Sequence, residues 1–215
     1  MEEIIPSIPF ILEGILITLK FVLLSGVIGF ILGIGVALAK LGKSKALGKI
    51  AGAYTAFFRG TPLILQLVYI YYVIPQVTPW NIEPFVAGVI AFSLNSAAYI
   101  SEIIRAGIQS VDKGQFEAAK ALNIPYFKAM RKIILPQAIK HILPALMNEG
   151  IMLLKESAVI SVIGVSDIMR RGQIVAADTY NYIGALTIPL ILYFLMVRML
   201  EMYGSRVERR LSYSD

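Results

Sequence analysis

The sequence predicts an all-α integral membrane protein with five membrane-spanning helices, because it is strongly apolar and its charges are unevenly distributed. Of its 215 residues, 57% are hydrophobic and only 16% are charged, and the mean hydropathy is +0.73. A soluble domain of this length needs a more polar surface. Long runs without any charge approach the roughly 20 apolar residues that a helix needs to cross a bilayer.

Five segments are candidates for these membrane spans. Four of them contain long runs without a charged side chain: 21–39, 63–82, 84–101 and 179–197. A fifth segment, 142–166, is long enough but carries Glu149, Lys155 and Glu156. We predict spans at about 10–39, 61–77, 84–108, 142–164 and 180–204. Together they form a single domain over residues 1–215.

The basic residues predict how the chain is oriented, because lysine and arginine resist translocation. They concentrate in the predicted loops 40–59 and 105–140 and in the tail, at Arg206, Arg209 and Arg210. The connection 75–83 has none, and the connection 165–179 has only Arg170 and Arg171. The sequence therefore predicts an N-terminus outside and a C-terminus in the cytoplasm.

The longer basic loop contains a pattern typical of two short helices joined by a turn. Asp112 can cap the first helix while Gln115 reaches back to it. The helix would continue through Leu122, Asn123 tolerates the left-handed turn that ends helices, and Pro125 suits the start of the next helix. In the second helix one face would carry Phe127, Met130 and Ile134 and another Lys128, Arg131 and Lys132. These properties suit either a hairpin on an anionic membrane surface or a docking site for a partner.

Several short motifs resemble those of ATP-binding-cassette importer permeases. Glu117–Ala119 reads EAA, Asn123 follows, and Ile134–Pro136 reads ILP, which is similar to the EAA loop of that family. Other stretches resemble its polar amino-acid uptake branch: FRGTP at 58–62, NSAAY at 95–99 with Glu102, Arg105 and Gly107, NE at 148–149, and KES at 155–157. One departure is Asn123, which stands where the family usually has glycine.

The resemblance implies a permease subunit with a coupling loop at about 110–137. In the family this loop docks on a cytoplasmic ATPase dimer, and the matching residues here are Gln115, Glu117, Ala118, Ala119, Asn123 and Pro125. It also implies a second permease subunit (an identical chain or a close homologue), an extracytoplasmic amino-acid-binding protein, an amino-acid substrate and surrounding membrane lipid. The expected location is a bacterial or archaeal cytoplasmic membrane.

The sequence does not predict an enzyme. Its nearest approach to a phosphate-binding P-loop, GKSKALGKI at 42–50, has five residues between Gly42 and Gly48 instead of four and ends in Ile50 instead of serine or threonine. We therefore expect ATP and Mg²⁺ to be bound by the partner ATPase and no cofactor by this chain. With no cysteine and one histidine, we predict neither a metal site nor catalytic residues. The net charge of +6 is explained by the orientation of the spans and does not indicate nucleic-acid binding.

Polar side chains within the predicted spans are candidates for contacting the substrate, because such groups are costly in a membrane. They are Gln66, Tyr69, Asn95, Tyr99, Glu102, Lys155 and Glu156. Ion pairs between Glu102 and Arg105, or between Lys155 and a carboxylate, are an alternative role for the charged members. The resemblance implies an amino acid, and the carboxylates of the fourth span favour a cationic one.

Two further patterns concern helix structure. Ser25, Gly29, Gly33 and Ala37 repeat every four residues, which indicates close packing against another helix, within the chain or in a second subunit. Thr61 and Pro62 predict a helix start, with Thr61 as its cap.

Two other functions remain as hypotheses. An ion-gradient-driven secondary transporter or carrier usually contains internal repeats, and none is visible here. A membrane-embedded enzyme would need a convergent set of catalytic groups, and the carboxylates Glu102, Glu149 and Glu156 lack a nucleophile–base pair or a metal cluster beside them.

Overall fold

The computed structural model describes residues 4–212, with side chains for residues 4–206. Arg209 and Arg210, which contribute to the predicted orientation, have side chains outside this range. The described part is helical, with these elements: α1 Ile8–Leu41, α2 Lys45–Gly60, α3 Leu63–Val77, α4 Pro84–Gln109, α5 Lys113–Ala121, α6 Tyr126–Ala129, α7 Leu135–Glu156, α8 Ile168–Thr179 and α9 Tyr182–Ser212. A π-turn at Met130–Ile134 joins α6 to α7, and a 3-10 segment, Ser157–Ile163, extends α7.

Three described helices are long and apolar enough to cross a membrane: Ile5–Leu41, Pro84–Gln109 and Tyr182–Arg206. A fourth candidate is the pair α2 and α3, which is bent by 103°. The all-helical membrane fold is thus confirmed, whereas the count of five spans stays a prediction. Helix α7 covers residues 142–156 of the fourth predicted span and is not among the three helices that are long and apolar enough to cross a membrane.

Two segments predicted as connections are helical. The predicted loop 40–59 contains α2, because Ser44 caps a helix that no proline interrupts before Pro62. The connection 165–179 contains α8, which Asp167 caps through a bond to the backbone of Arg170. Neither helix was anticipated from the sequence, since short helices that pack on neighbours need no long apolar run.

The central packing joins α1 to α4. Phe21 of α1 lies edge-on to Phe92, with ring centroids 4.9 Å apart, and to Phe85, with centroids 5.8 Å apart. Further along, a Cβ added to Gly29 would lie 3.1 Å from Ser96 Cβ, and one added to Gly33 would lie 2.8 Å from Ile100 Cγ2. The small-residue stripe therefore packs within the chain, as the first of the two alternatives expected.

The two arginines that disagreed with the orientation pattern lie at the start of α8. Arg171 donates to Glu13 Oε2 at 2.6 Å and to the carbonyl oxygen of Phe10 at 2.7 Å. Its guanidinium also lies 4.5 Å from the ring centroid of Phe10. Arg171 thus ties α8 to the first turns of α1.

Candidate functional site

Gln66 and Asn95 form a buried hydrogen-bonded pair at the break between α2 and α3. Asn95 Nδ2 donates to Gln66 Oε1 at 3.0 Å and to the carbonyl oxygen of Phe58 at 2.9 Å. Gln66 Nε2 donates to that same carbonyl at 2.9 Å and to Thr61 Oγ1 at 2.7 Å. Both amides therefore satisfy backbone groups freed where the helix bends.

Thr61 does not cap α3 as the sequence predicted. Its hydroxyl donates to the carbonyl of Phe57 at 2.9 Å, at the end of α2, while Pro62 occupies the cap position of α3. Because proline has no N–H and forces extended backbone on the preceding residue, α2 must end there. The hydroxyl of Thr61 also accepts a hydrogen bond from Gln66 of this pair.

Glu102 lies at the meeting point of three helices. Its carboxylate pairs with Lys40 of α1 and accepts from Arg105 Nη2 at 2.7 Å, and Arg59 Nη1 of α2 is 4.0 Å away. Lys40 also donates to Thr55 Oγ1 at 2.6 Å. The expected Glu102–Arg105 pair is present, and the group carries three cations around one carboxylate.

The two candidate tyrosines are accessible. Tyr99 is exposed at the edge of this charged group, with the Arg59 guanidinium 5.2 Å from its ring centroid. Tyr69 is 61% exposed and lies in a π-turn of α3, Tyr69–Val73. It borders a cavity of about 390 Å³ whose other walls are almost entirely apolar.

The candidate residues of α7 divide between two faces. Asn148, Met152 and Lys155 are exposed on one face, whereas Glu149 and Glu156 are half-buried. Glu149 Oε1 accepts from Ser96 Oγ of α4 at 2.8 Å. Among the described residues no carboxylate is paired with Lys155, so the expected Lys155–carboxylate pair is not formed there.

The predicted two-helix loop is present as α5 and α6. Asp112 Oδ1 accepts from the backbone N–H of Gly114 at 2.7 Å, which caps α5 as expected. Gln115 does not reach back to it, and its Oε1 lies 3.5 Å from Nε2 of Gln137. Asn123 adopts the left-handed conformation, with φ of 51°, so it replaces glycine at this turn. Pro125 occupies the position immediately before α6.

An exposed apolar surface lies at the tip of this loop. Leu122, Tyr126 and Phe127 are 73%, 65% and 77% exposed, and we call these three residues the apolar tip. Glu117 and Ala118 are exposed on the adjoining α5, whereas Ala119 is buried.

The predicted face of Phe127, Met130 and Ile134 is broken. Ile134 is fully buried but Phe127 points away from the chain. The π-turn at Met130–Ile134 is the reason, because its wider winding changes the angular relation between residues on either side of it.

A buried polar network was not anticipated from the sequence. Asp167 is completely buried, and its Oδ2 accepts from the hydroxyl of Tyr193 in α9 at 3.1 Å. Thr18 Oγ1 of α1 lies 3.4 Å from the backbone nitrogen of Ile168. Burial raises the pKa of the Asp167 carboxyl to about 6. These groups are far apart in sequence, so only the folded chain reveals the network.

Sequence reasoning also missed the roles of Lys40, Thr55 and Arg59 around Glu102. Lys40 was counted only as a loop charge, and Arg59 as a loop charge and as part of the FRGTP motif. A carboxylate within an apolar run does signal that cations must approach it, but the sequence does not say which.

The chain is similar to known membrane transport proteins over nearly its whole length. Residues 29–213 match the family described as "Binding-protein-dependent transport system inner membrane component". The chain is 53% identical over 211 residues to the arginine transport system permease protein ArtQ of Bacillus subtilis (strain 168), covering 98% of this chain and 96% of that protein. It is 50% identical over 206 residues to a putative glutamine transport system permease protein, GlnP, of Rickettsia bellii (strain RML369-C), covering 96% and 94%.

Solved structures give the same result for the fold. A crystal structure of an amino acid ABC transporter with histidines matches with a TM-score of 0.90 and 46% identity, covering 94% of each chain. The MetNI methionine ABC transporter matches with a TM-score of 0.81 at 22% identity, which shows the shared fold alone. These matches confirm the resemblance to importer permeases and give no support to a gradient-driven carrier. The chain belongs to the family of binding-protein-dependent transport system inner membrane components, as a permease subunit and not an enzyme.

Proposed function

We propose that this chain supplies half of the membrane path of an ATP-driven importer of polar amino acids, with α5 and α6 as its contact with a cytoplasmic ATPase dimer. The observation that carries this proposal is the apolar tip at the end of α5, the helix that also carries the exposed Glu117. Aromatic side chains such as those of Tyr126 and Phe127 are enriched at protein interfaces. A tip of this kind is otherwise unfavourable in water.

The path from this contact into the membrane is short. Helix α6 continues through the π-turn into α7, whose residues Lys155 and Glu156 are proposed to face the substrate. A displacement of the apolar tip would therefore move α7 directly. Gln115, Ala118, Ala119, Asn123 and Pro125 shape the contact, Asn123 by fixing the angle between α5 and α6.

We assign the proposed substrate path to the accessible polar residues near α4 and α7. Tyr69, Tyr99, Glu102, Lys155 and Glu156 are its candidate lining. Gln66 and Asn95 contribute to the path indirectly. Their amides bond to protein groups and stabilise the bend between α2 and α3. A second copy of this chain, or a close homologue, supplies the other half.

The amino-acid class is supported by the relatives, whose names specify arginine and glutamine transport. Among the charged groups, Glu149 and Glu156 favour a cationic substrate. An extracytoplasmic binding protein would deliver it, and Mg²⁺ and ATP would bind the partner ATPase. The N-terminus would then lie outside and the C-terminus in the cytoplasm of a bacterial or archaeal cell.

The test is transport by the reconstituted assembly. The tagged chain, its co-purifying ATPase and candidate binding proteins are placed in proteoliposomes and assayed for ATP-dependent uptake of arginine, lysine, histidine and glutamine. Uptake of at least one supports the proposal, and uptake that follows an ion gradient without ATP contradicts it. Glu156→Gln should then reduce uptake of a cationic amino acid more than that of glutamine. An equal loss for both removes the charge argument.

A further inference from the structure

Helix α2 has three distinct faces. Ala51 and Thr55 are buried against the rest of the chain, and Thr55 accepts from Lys40 of α1. Ile50, Ala53 and Phe57, spaced three and four residues apart, form an exposed apolar stripe. Beside that stripe, Lys45 and Lys49 are spaced four residues apart and therefore share a third face.

The third face forms a basic surface together with the preceding turn. Lys43, Lys45 and Lys49 are exposed, and among the described residues none of them forms an ion pair. No acidic residue occurs between positions 40 and 60. We call Lys43, Lys45 and Lys49 the α2 lysines. They form a cluster of positive charge without compensation from the chain.

The apolar stripe places this cluster next to hydrocarbon. Ile50 is 67% exposed and Phe57 is 59% exposed. A helix with large apolar side chains on one face and lysines on the next is suited to the boundary between acyl chains and headgroups.

The position of α2 relative to the end of α1 agrees with a location at the boundary between acyl chains and headgroups. The charge-free run 21–39 ends immediately before Lys40, which pairs with Glu102 near the end of α4. The turn at 42–44 therefore lies where α1 leaves the apolar layer. The α2 lysines follow within one or two helical turns, at the level of the headgroups.

We propose that the α2 lysines bind the headgroups of anionic phospholipids in the leaflet where α1 ends, with Ile50 and Phe57 inserted among the acyl chains. Negative headgroups complement a cluster of three unpaired cations, and each lysine near an anionic surface contributes roughly a fivefold change in affinity. Assigning this leaflet to the cytoplasm rests on the proposed orientation, whereas the lipid contact itself does not require the proposed coupling to an ATPase.

The test is lipid retention by the purified full-length chain. Native mass spectrometry in detergent is used to titrate the chain with phosphatidylglycerol and, separately, with phosphatidylcholine. The variant Lys43→Gln/Lys45→Gln/Lys49→Gln is compared with Lys113→Gln/Lys128→Gln/Lys132→Gln, which removes three exposed lysines from the loop of α5 and α6. We expect the first variant to bind phosphatidylglycerol roughly 100-fold more weakly, and the second to resemble the wild type. Phosphatidylcholine binding should change little in either variant.

Two outcomes overturn the proposal. One is equal phosphatidylglycerol binding by the wild type and the first variant. The other is a shift from dimer to monomer in the first variant with unchanged lipid binding, which would make this face a contact between permease subunits.

Further measurements test whether the first variant has simply misfolded. They also distinguish this proposal from the proposed transport function. Lys43→Arg/Lys45→Arg/Lys49→Arg keeps the charge and should restore lipid binding, and raising the salt concentration should weaken it in the wild type. Failure of either result counts against headgroup recognition. If the wild type shows no ATP-driven uptake, the proposed transport function is contradicted. The result on lipid binding is then still valid.

Discussion

Asn95 Nδ2 lies 3.0 Å from Gln66 Oε1, and this bond joins α4 to α3 in the interior of the chain. Both side chains are 7% exposed. The same two amides bond to the carbonyl of Phe58. A bend of 103° between α2 and α3 is thus held by side chains where backbone bonds are interrupted.

Removing the Asn95 amide should destabilise this bend. Asn95→Ala leaves Gln66 Oε1 without its donor, and an unsatisfied buried group costs about 1–3 kcal/mol. We expect a lower thermal unfolding temperature in detergent for Asn95→Ala than for Asn148→Ala, which alters an exposed asparagine of α7. Unchanged stability with weaker substrate binding would show that Asn95 acts by contacting the solute.

Close packing of α1 on α4 predicts a sharp difference between two glycines of α1. A Cβ at position 33 would lie 2.8 Å from Ile100 Cγ2, whereas one at position 35 would meet nothing within 4 Å. Gly33→Ala should therefore lower stability by about 1–3 kcal/mol. Gly35→Ala should be neutral or stabilising. Equal unfolding temperatures for the two variants would place the stripe away from α4.

The burial of Asp167 predicts a pH dependence of stability. Its pKa of about 6 lies above the ordinary value of 3.8, so the folded chain holds this proton more tightly than the unfolded chain. The resulting stabilisation is fully present below about pH 4 and is lost as the pH rises through 6, with a magnitude on the order of 2–3 kcal/mol.

Asp167→Asn removes this dependence, and thermal unfolding at pH 4 to 7 measures it. The wild type should gain stability relative to Asp167→Asn as the pH falls through this range. Asp178→Asn, which alters an exposed carboxylate of α8, serves as the control and should follow the wild type. Parallel pH curves for wild type and Asp167→Asn would show that the Asp167 pKa is close to its ordinary value.

Short-range sequence patterns predicted the parts of the fold that depend on residues close together in the chain. The charge-free runs located α1, α4 and α9, and Asn123 was expected to turn left-handed, which it does with φ of 51°. The Glu102–Arg105 pair followed from a spacing of three residues on one helix.

The remaining features depend on contacts between distant segments. Lys40 reaches Glu102 across 62 positions, and Tyr193 reaches Asp167 across 26. Nothing in the local pattern of either residue specifies its partner. The exposure of Phe127 also escaped prediction, because a π-turn changes a helical face without an obvious signal such as proline or glycine.

The central claim is that α5 and α6 transmit the action of an ATPase to the membrane helices. Its most direct test is ATP-driven amino-acid uptake by proteoliposomes that contain Glu117→Lys, the ATPase and the binding protein. Asp178→Lys is the control, since Asp178 is an exposed carboxylate outside α5 and α6. We predict that Glu117→Lys lowers uptake roughly tenfold or more while the chain remains folded in the membrane, because reversing a charged contact weakens docking. Wild-type uptake by Glu117→Lys would contradict the claim.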